Sequence, residues 1–220
     1  PTFANISLVG APSLWALGAR GAGVRVGVLD SGLDPGHPVF GCAAGQVWSQ
    51  AAKCGRVVGF GDFTKSSPLT REPGTTQYPG RAHGTNVTSV LAGGVAGSPA
   101  VTWGVAPEAR VLFARIVDDA GSIDSDAELA GVQWFVDPDG NPATRDEARV
   151  VNGSYGGFSP IGTQLVVRML RAADIVPVFG AGNGGPVPGT VLTPSWVPEA
   201  LSVGNTDNSD VIRPDSARGC

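Results

Sequence analysis

The sequence predicts an α/β fold in which a doubly wound, mostly parallel sheet carries helices on both faces. Apolar runs rich in β-branched residues alternate with segments of helical periodicity, which is typical of parallel sheets covered by helices. The run at 24–29 is nearly continuous, as expected for a strand that is buried on both faces. A length of 220 residues suits one domain with a sizeable core.

The individual elements are predicted in alternation along the chain. Strands at 24–29 and 56–60 are followed by a loop rich in proline, glycine and serine that runs through Gly80, and a helix begins at His83. The later segments, in order, are a strand at 109–117, a helix at 125–137, a strand at 148–152, a helix at 163–173, and strands at 174–180 and 200–203. The carboxyl ends of these strands are expected to meet at one edge of the sheet, where α/β proteins build their sites.

The charge balance argues against nucleic acid or an anionic membrane surface as a partner. The chain has 15 basic and 19 acidic residues and no basic run. No apolar stretch approaches the length of a membrane span. We therefore expect neither a nucleic-acid partner nor a membrane-spanning helix.

The three cysteines predict an oxidising environment. Cys42 and Cys54 bracket a short segment, and a disulfide between them is favoured over a metal site. A zinc site that includes His37 is the alternative, although it would need further ligands. Cys220 is either free or paired outside these residues. A disulfide places the protein outside the reducing cytosol, so we expect a secreted or otherwise extracytoplasmic protein.

An acid and an imidazole are candidates for a catalytic pair. Asp30 follows the first strand, at the edge where loops converge, although Ser31 and Gly32 also allow a plain turn there. His83 opens the helix after the glycine-rich loop, whereas His37 lies in a Pro-Gly-His-Pro turn of structural character. A carboxylate that holds an imidazole in one tautomer is the orienting half of a nucleophile–base–acid triad.

The glycine-rich segment at 178–189 suggests two kinds of site. Gly180, Gly182 and Gly185 have the spacing of a dinucleotide fingerprint, but the prolines at 186 and 188 prevent the helix that this fingerprint needs. A nucleotide-binding domain is therefore disfavoured. Asn183 remains as an amide donor at the end of a strand, and such a donor suits an oxyanion.

Five segments together carry a resemblance to a known family. They read GVRVGVLDSGLDPGHP, HGTNV, GVAPEARVLFARIVDDAGS, VVNGSYGG and VFGAGNGGP. In order and approximate spacing they resemble the catalytic domain of subtilisin-like serine proteases, from about Ile6 to the end of the chain. The resemblance implies a subtilisin-like fold, with residues 1–220 as the N-terminal portion of a single peptidase domain that hydrolyses proteins.

The resemblance also implies roles for particular residues. Asp30 would be the triad acid, His83 the general base and Asn183 the oxyanion donor. The substrate backbone would lie between two segments and beside a third: Gly121, Ser122 and Ile123; Ser154, Tyr155 and Gly156; and Gly180, Ala181 and Gly182. An extended peptide gains main-chain hydrogen bonds there whatever its sequence, so broad specificity is expected.

Four positions depart from the family pattern. Asn86 stands where a second histidine is common, and Ala82 where a glycine usually precedes the base. Val39 replaces an aspartate that binds calcium in many relatives, so no cofactor is expected and that structural calcium site is in doubt. Phe179 replaces a small residue and is expected to alter packing beside the primary specificity pocket.

The nucleophilic serine of the family has no counterpart within these residues. It lies in a Gly-Thr-Ser-Met-like turn downstream of the asparagine loop, and no Gly-Thr-Ser occurs here. Ser154, in NGSYG, approaches a nucleophile elbow, but that motif lacks its first glycine and no histidine follows it.

We therefore expect the serine on a segment beyond Cys220, carried by a complementary C-terminal fragment, and we expect this chain alone to be inactive. The alternative is a catalytically silent pseudo-protease that binds extended peptides.

Overall fold

The computed structural model describes residues 4–43, 45–64, 81–95, 98–102, 104–157 and 162–220. The helices in these residues, in chain order, are α1 (Ala4–Leu8), α2 (Ala11–Ala16), α3 (Arg81–Ala92), α4 (Ser125–Val136) and α5 (Gly162–Ala172), with a 3-10 turn at Pro38–Phe40. The strands are β1 (Arg25–Asp30), β2 (Val57–Asp62), β3 (Gly94–Val95), β4 (Ser98–Thr102), β5 (Arg110–Arg115), β6 (Val150–Gly153), β7 (Val176–Gly180) and β8 (Leu201–Val203).

The main sheet places the carboxyl ends of its strands side by side. Among the described residues its strand order is β2-β5-β1-β6-β7-β8, and every neighbouring pair is parallel. On one side of β1 the chain first forms the edge strand β2 and then inserts β5 between β2 and β1. On the other side it builds outward through β6, β7 and β8. The order reverses at β1, which is where open α/β sheets form their crevice. The predicted α/β fold with a mostly parallel sheet is confirmed.

Helices cover both faces of the sheet, as a doubly wound fold requires. On one face Leu29 belongs to an apolar cluster with Phe135 of α4 and Val167 of α5. On the other face Val28 lies in a cluster with Phe113, and the helix α3 packs against it. Alternate residues of β1 therefore enter different cores, which explains why its sequence is apolar at almost every position.

The structure differs from the prediction mainly in short or terminal elements. Helix α3 begins at Arg81, two residues before His83. The sequence pattern predicts neither the helices α1 and α2 nor the antiparallel β3–β4 pair, because segments of two to six residues carry little periodicity. Strand β2 extends to Asp62, two residues into the predicted loop, and residues 65–80 of that loop lie outside the described residues.

The loop after β1 is closed by a disulfide between Cys42 and Cys54, as expected. The Nδ1 atom of His37 accepts a hydrogen bond from the backbone N–H of Val39 at 3.2 Å and so caps the 3-10 turn. Cys220 is exposed and forms no disulfide with the described part of the chain. Within the described residues we find no helix that is both long and apolar enough to cross a membrane.

Candidate active site

Asp30 and His83 meet at the carboxyl edge of the sheet although 53 positions separate them. The Nδ1 atom of His83 lies 2.8 Å from Oδ1 and 3.0 Å from Oδ2 of Asp30. Asp30 is the last residue of β1, and His83 lies in the first turn of α3. The distances correspond to a charge-assisted hydrogen bond, which fixes the ring with its Nε2 edge directed away from the carboxylate.

The two members of this pair lie in different environments. The side chain of Asp30 is only 3% exposed, whereas that of His83 is 54% exposed. Oδ1 of Asp30 also accepts hydrogen bonds from the backbone N–H of Ser31 at 2.7 Å and from its hydroxyl at 3.1 Å. A buried carboxylate with these donors is held in one orientation, while the outer part of the imidazole remains open to a reactant.

A glycine allows α3 to approach β1 this closely. A Cβ atom on Gly84 would lie 2.2 Å from the carbonyl oxygen of Gly32 and 3.1 Å from Oδ1 of Asp30. The helix is also tied to the loop after β1, since the hydroxyl of Thr85 accepts a hydrogen bond from the N–H of Asp34 at 3.0 Å. The sequence around His83 therefore provides both the space and the anchor for the pair.

The Asp30 carboxylate changes the titration of His83. Its hydrogen bond, with a smaller Coulombic attraction, raises the pKa of His83 above the ordinary value, and partial burial opposes this rise. Because the pKa is raised on folding, the pair stabilises the fold fully below the unfolded-state pKa and loses that contribution as the pH rises through the folded-state pKa. The free base, which is the form able to accept a proton, therefore predominates only at a higher pH than for an ordinary histidine.

Asn183 lies on the loop after β7, at the same edge of the sheet. Its side chain is exposed, and it follows Gly182, whose φ of 108° is unfavourable for residues with a Cβ atom. Backbone hydrogen bonds hold this loop: Ala181 donates to Val203 at 2.8 Å and Gly182 accepts from Ala217 at 2.9 Å. The amide of Asn183 is thus presented from a loop anchored on both sides.

The segment Gly121–Ile123 lies in a turn that follows β5. Oδ1 of Asp118 accepts hydrogen bonds from the N–H groups of Ala120 at 2.9 Å and Ser122 at 2.8 Å. Val117 and Ile123 form an isolated antiparallel bridge. The segment is exposed, so its backbone is accessible from solvent.

The segment Ser154–Gly156 continues β6 past the end of the sheet. Ser154 accepts a hydrogen bond from the side-chain amide of Asn152 at 3.0 Å. A Cβ atom on Gly156 would lie 2.8 Å from Leu192, and one on Gly182 would lie 3.0 Å from the same side chain. Leu192 therefore packs between Ser154–Gly156 and Gly180–Gly182, a position that sequence reasoning did not identify.

Tyr155 and Phe179 form the apolar floor beneath these segments. The two rings are 5.9 Å apart and nearly perpendicular, and Phe179 is fully buried. The hydroxyl of Tyr155 donates to Oε1 of Glu128, at 2.5 Å, so it bridges β6 and α4. Burial, followed by the field and hydrogen bond of Glu128, raises the pKa of Tyr155 well above its usual range, and burial raises that of Glu128. The large residue at 179 thus fills the space beneath Tyr155.

Carboxylates that could hold a metal are separate from this edge. The side chain of Val39 is buried among apolar residues and offers no ligand. Asp137, Asp139 and Asp146 have oxygen atoms within 4.8 Å of one another in the described part of the chain. They lie between the end of α4 and the start of β6, at the opposite edge of the sheet from Asp30, so they have no part in the chemistry of His83.

Comparison with known proteins places the chain in a family. The sequence model of the Subtilase family matches residues 21–220. This chain is a member of the subtilase family. Subtilases are serine peptidases, and in this member the Asp30–His83 contact and the Asn183 loop lie within the matched residues.

Several characterised subtilases are similar to most of the chain. Identity is 30% over 98% of the chain for Bacillopeptidase F of Bacillus subtilis, 31% over 96% for Subtilisin-like protease PopC of Myxococcus xanthus, and 27% over 91% for Thermitase of Thermoactinomyces vulgaris. The matches cover 15%, 43% and 61% of these relatives. The chain therefore spans less than two thirds of the length of each.

Proposed function

We propose that residues 1–220 are the N-terminal portion of a serine endopeptidase domain, with Asp30 as the orienting acid, His83 as the general base and Asn183 as the oxyanion donor. The observation that carries the proposal is the contact between a buried carboxylate and a half-exposed imidazole at 2.8 Å. Membership of a serine peptidase family supports it. The nucleophile in this proposal is a serine from polypeptide beyond Cys220.

The proposed reaction follows from what each group can do. The Nε2 atom of His83 takes the proton from the serine hydroxyl while the serine oxygen attacks the peptide carbonyl. Asp30 remains ionised, holds the Nδ1 proton and stabilises the imidazolium that forms. The amide of Asn183 donates to the developing oxyanion. His83 then returns its proton to the leaving amine. A water molecule next attacks the acyl group; His83 takes the proton of that water and gives it to the serine oxygen as the acyl group leaves.

An apolar groove beside α3 supports a further segment as part of the domain. The groove has a volume of about 770 Å³ and lies against the sheet face formed by Val26, Val150 and Val178. Its lining also includes the polar residues Asn86, Asn152 and Ser154. Since an exposed apolar surface of this kind usually marks a contact, we propose that a segment from beyond Cys220 covers the groove, which Asn86 lines one turn along α3 from His83.

The proposed substrate is an unfolded or extended stretch of protein. Gly121–Ile123 and Ser154–Gly156 offer exposed or half-exposed backbone at one edge of the sheet, which suits pairing with a peptide main chain. We further propose an extracytoplasmic location. The Cys42–Cys54 disulfide supports it, as does the similarity to a relative named Minor extracellular protease Vpr, of Bacillus subtilis.

Hydrolysis of a denatured protein by the full-length protein tests this function. We expect casein to be cleaved at many sites, and we expect a serine-directed phosphonate to stop the cleavage. A full-length protein that binds denatured casein without cleaving it, over a pH range that includes the free base of His83, would instead support the peptide-binding pseudo-protease.

A further inference from the structure

Arg115 is a buried cation that has no role in the reaction steps proposed above. It ends β5, the strand next to β1, and only 2% of it is exposed. In the sheet register its neighbours are Asp30 of β1 on one side and Asp62 of β2 on the other. A guanidinium is seldom buried unless each of its donors finds a partner, so its contacts indicate what it holds in place.

Each of the three guanidinium nitrogen atoms of Arg115 donates a hydrogen bond to a different segment of the chain. Nε donates to the backbone carbonyl oxygen of Ser31 at 3.0 Å, Nη1 to Oδ2 of Asp62 at 2.9 Å, and Nη2 to Oδ1 of Asp119 at 2.6 Å. The Asp62 pair is buried, while Asp119 is 60% exposed. The planar guanidinium fixes these three acceptors in a single geometry, which an ammonium group could not do.

One of these contacts leads directly to the catalytic acid. Ser31, whose carbonyl Arg115 binds, is also the residue whose N–H and hydroxyl hold Oδ1 of Asp30. A second contact leads to the substrate side, because Asp119 lies in the turn that carries the segment Gly121–Ile123. The same side chain therefore touches both the loop after β1 and the turn after β5.

We propose that Arg115 is a positioning residue, which helps to fix the Asp30 carboxylate against His83 through Ser31 and fixes the turn before Gly121–Ile123 through Asp119. The inference rests on the proposed function, in which Asp30 orients His83. The Asp30–Ser31 peptide, whose N–H holds Oδ1, is itself fixed in the sheet, because its carbonyl oxygen accepts a hydrogen bond from the N–H of Ile116 at 3.0 Å. Without Arg115 the Ser31 carbonyl loses this donor, so the Ser31 hydroxyl, which also holds Oδ1, is positioned less precisely. The carboxylate then contacts His83 in a broader range of geometries, and alignment errors of this kind are costly in catalysis.

A comparison of two variants that both lack the Asp62 charge distinguishes a positioning role of Arg115 from a contribution to stability alone. Asp62→Asn alone leaves Arg115 bound to Ser31 and Asp119. The double variant Arg115→Met with Asp62→Asn removes the buried cation and the buried anion together, so no unpaired charge remains in the core. Arg115→Lys serves as a third variant, which keeps the charge without the three-way fork.

Two properties of the full-length protein are measured. The pKa of His83 is obtained by NMR with the serine blocked, and the kinetic constants are obtained with a peptide substrate. Tyr155, which lies in the field of Asp30, remains neutral and does not disturb the titration. With Asp62→Asn we expect the raised pKa of His83 to persist. With the double variant we expect that pKa to fall toward its ordinary value and kcat to fall roughly 100-fold. Arg115→Lys is expected to lie between them.

Failure of this inference can be told apart from failure of the proposed function. If the pKa of His83 is not raised in the unmodified protein, the Asp30–His83 pairing itself is wrong. If it is raised there, and the double variant folds with the same His83 pKa and the same kcat as Asp62→Asn, then Arg115 has no positioning role. Circular dichroism establishes that each variant is folded. Should the double variant not fold, unchanged values in Arg115→Lys would equally contradict the inference.

Discussion

Replacement of His83 by alanine in the full-length protein is expected to lower kcat by about 10⁶-fold, and replacement of Asp30 by asparagine by about 10⁴-fold, the sizes known for the triads of subtilisin and trypsin-like proteases. The loss for His83 is larger because nothing else accepts the serine proton. Asparagine at position 30 keeps the shape of the side chain but favours the wrong tautomer of the imidazole. Steady-state hydrolysis of a chromogenic peptide measures both.

A control variant and the pH dependence of activity show whether these losses arise from the Asp30–His83 pair. His37→Ala is the matched control, since His37 caps a short turn and should leave kcat within a few-fold of its original value. Because Asp30 raises the pKa of His83, residual activity of Asp30→Asn should extend to lower pH than that of the unmodified protein. A His83→Ala variant that retains a tenth of the activity would contradict the assignment.

Replacement of Asn183 by alanine is expected to lower kcat roughly 100- to 1000-fold with little change in KM, the effect known for the oxyanion asparagine of subtilisin. The amide donates to an oxygen that becomes charged only in the transition state, so ground-state binding is spared. Asn208→Ala is the control, because Asn208 is an exposed asparagine on a surface turn after β8.

The alternative outcome for Asn183 has a clear interpretation. An increase in KM with kcat unchanged would mean that the side chain binds substrate uniformly and stabilises no oxyanion. The exposure of Asn183 and the anchoring of its loop would then serve recognition, and another donor would be needed for the oxyanion.

The sequence predicts those helices and strands that are long enough to show a clear hydrophobic period. Strand β1 could be predicted because alternate residues enter two cores, and α4 because its apolar residues repeat with a helical period after the cap at Asp124. The helices before β1 and the antiparallel β3–β4 pair are too short for such patterns. The sequence predicts the start of α3 two residues late, because no Ser, Thr, Asp or Asn directly precedes Arg81 to mark it.

The candidate site was predictable in its residue types and much less so in its supports. Asp30 and His83 are recognisable from local motifs, yet their contact depends on the close approach that Gly84 allows, which is a tertiary property. Arg115 carried one available signal, a charged residue inside the apolar run at 109–117, but periodicity says nothing about which loops it binds. The bond between Tyr155 and Glu128 joins two distant segments, so no local pattern could predict it.

The location of a phosphonate adduct tests most directly whether Asp30 and His83 activate a serine from beyond Cys220. The full-length protein is treated with a serine-directed aryl phosphonate, digested and mapped by mass spectrometry. We predict one adduct per molecule, on a serine outside residues 1–220, and its loss in His83→Ala. The absence of any adduct on folded protein, or an adduct on Ser154 or another serine within residues 1–220, would contradict the proposed catalytic arrangement.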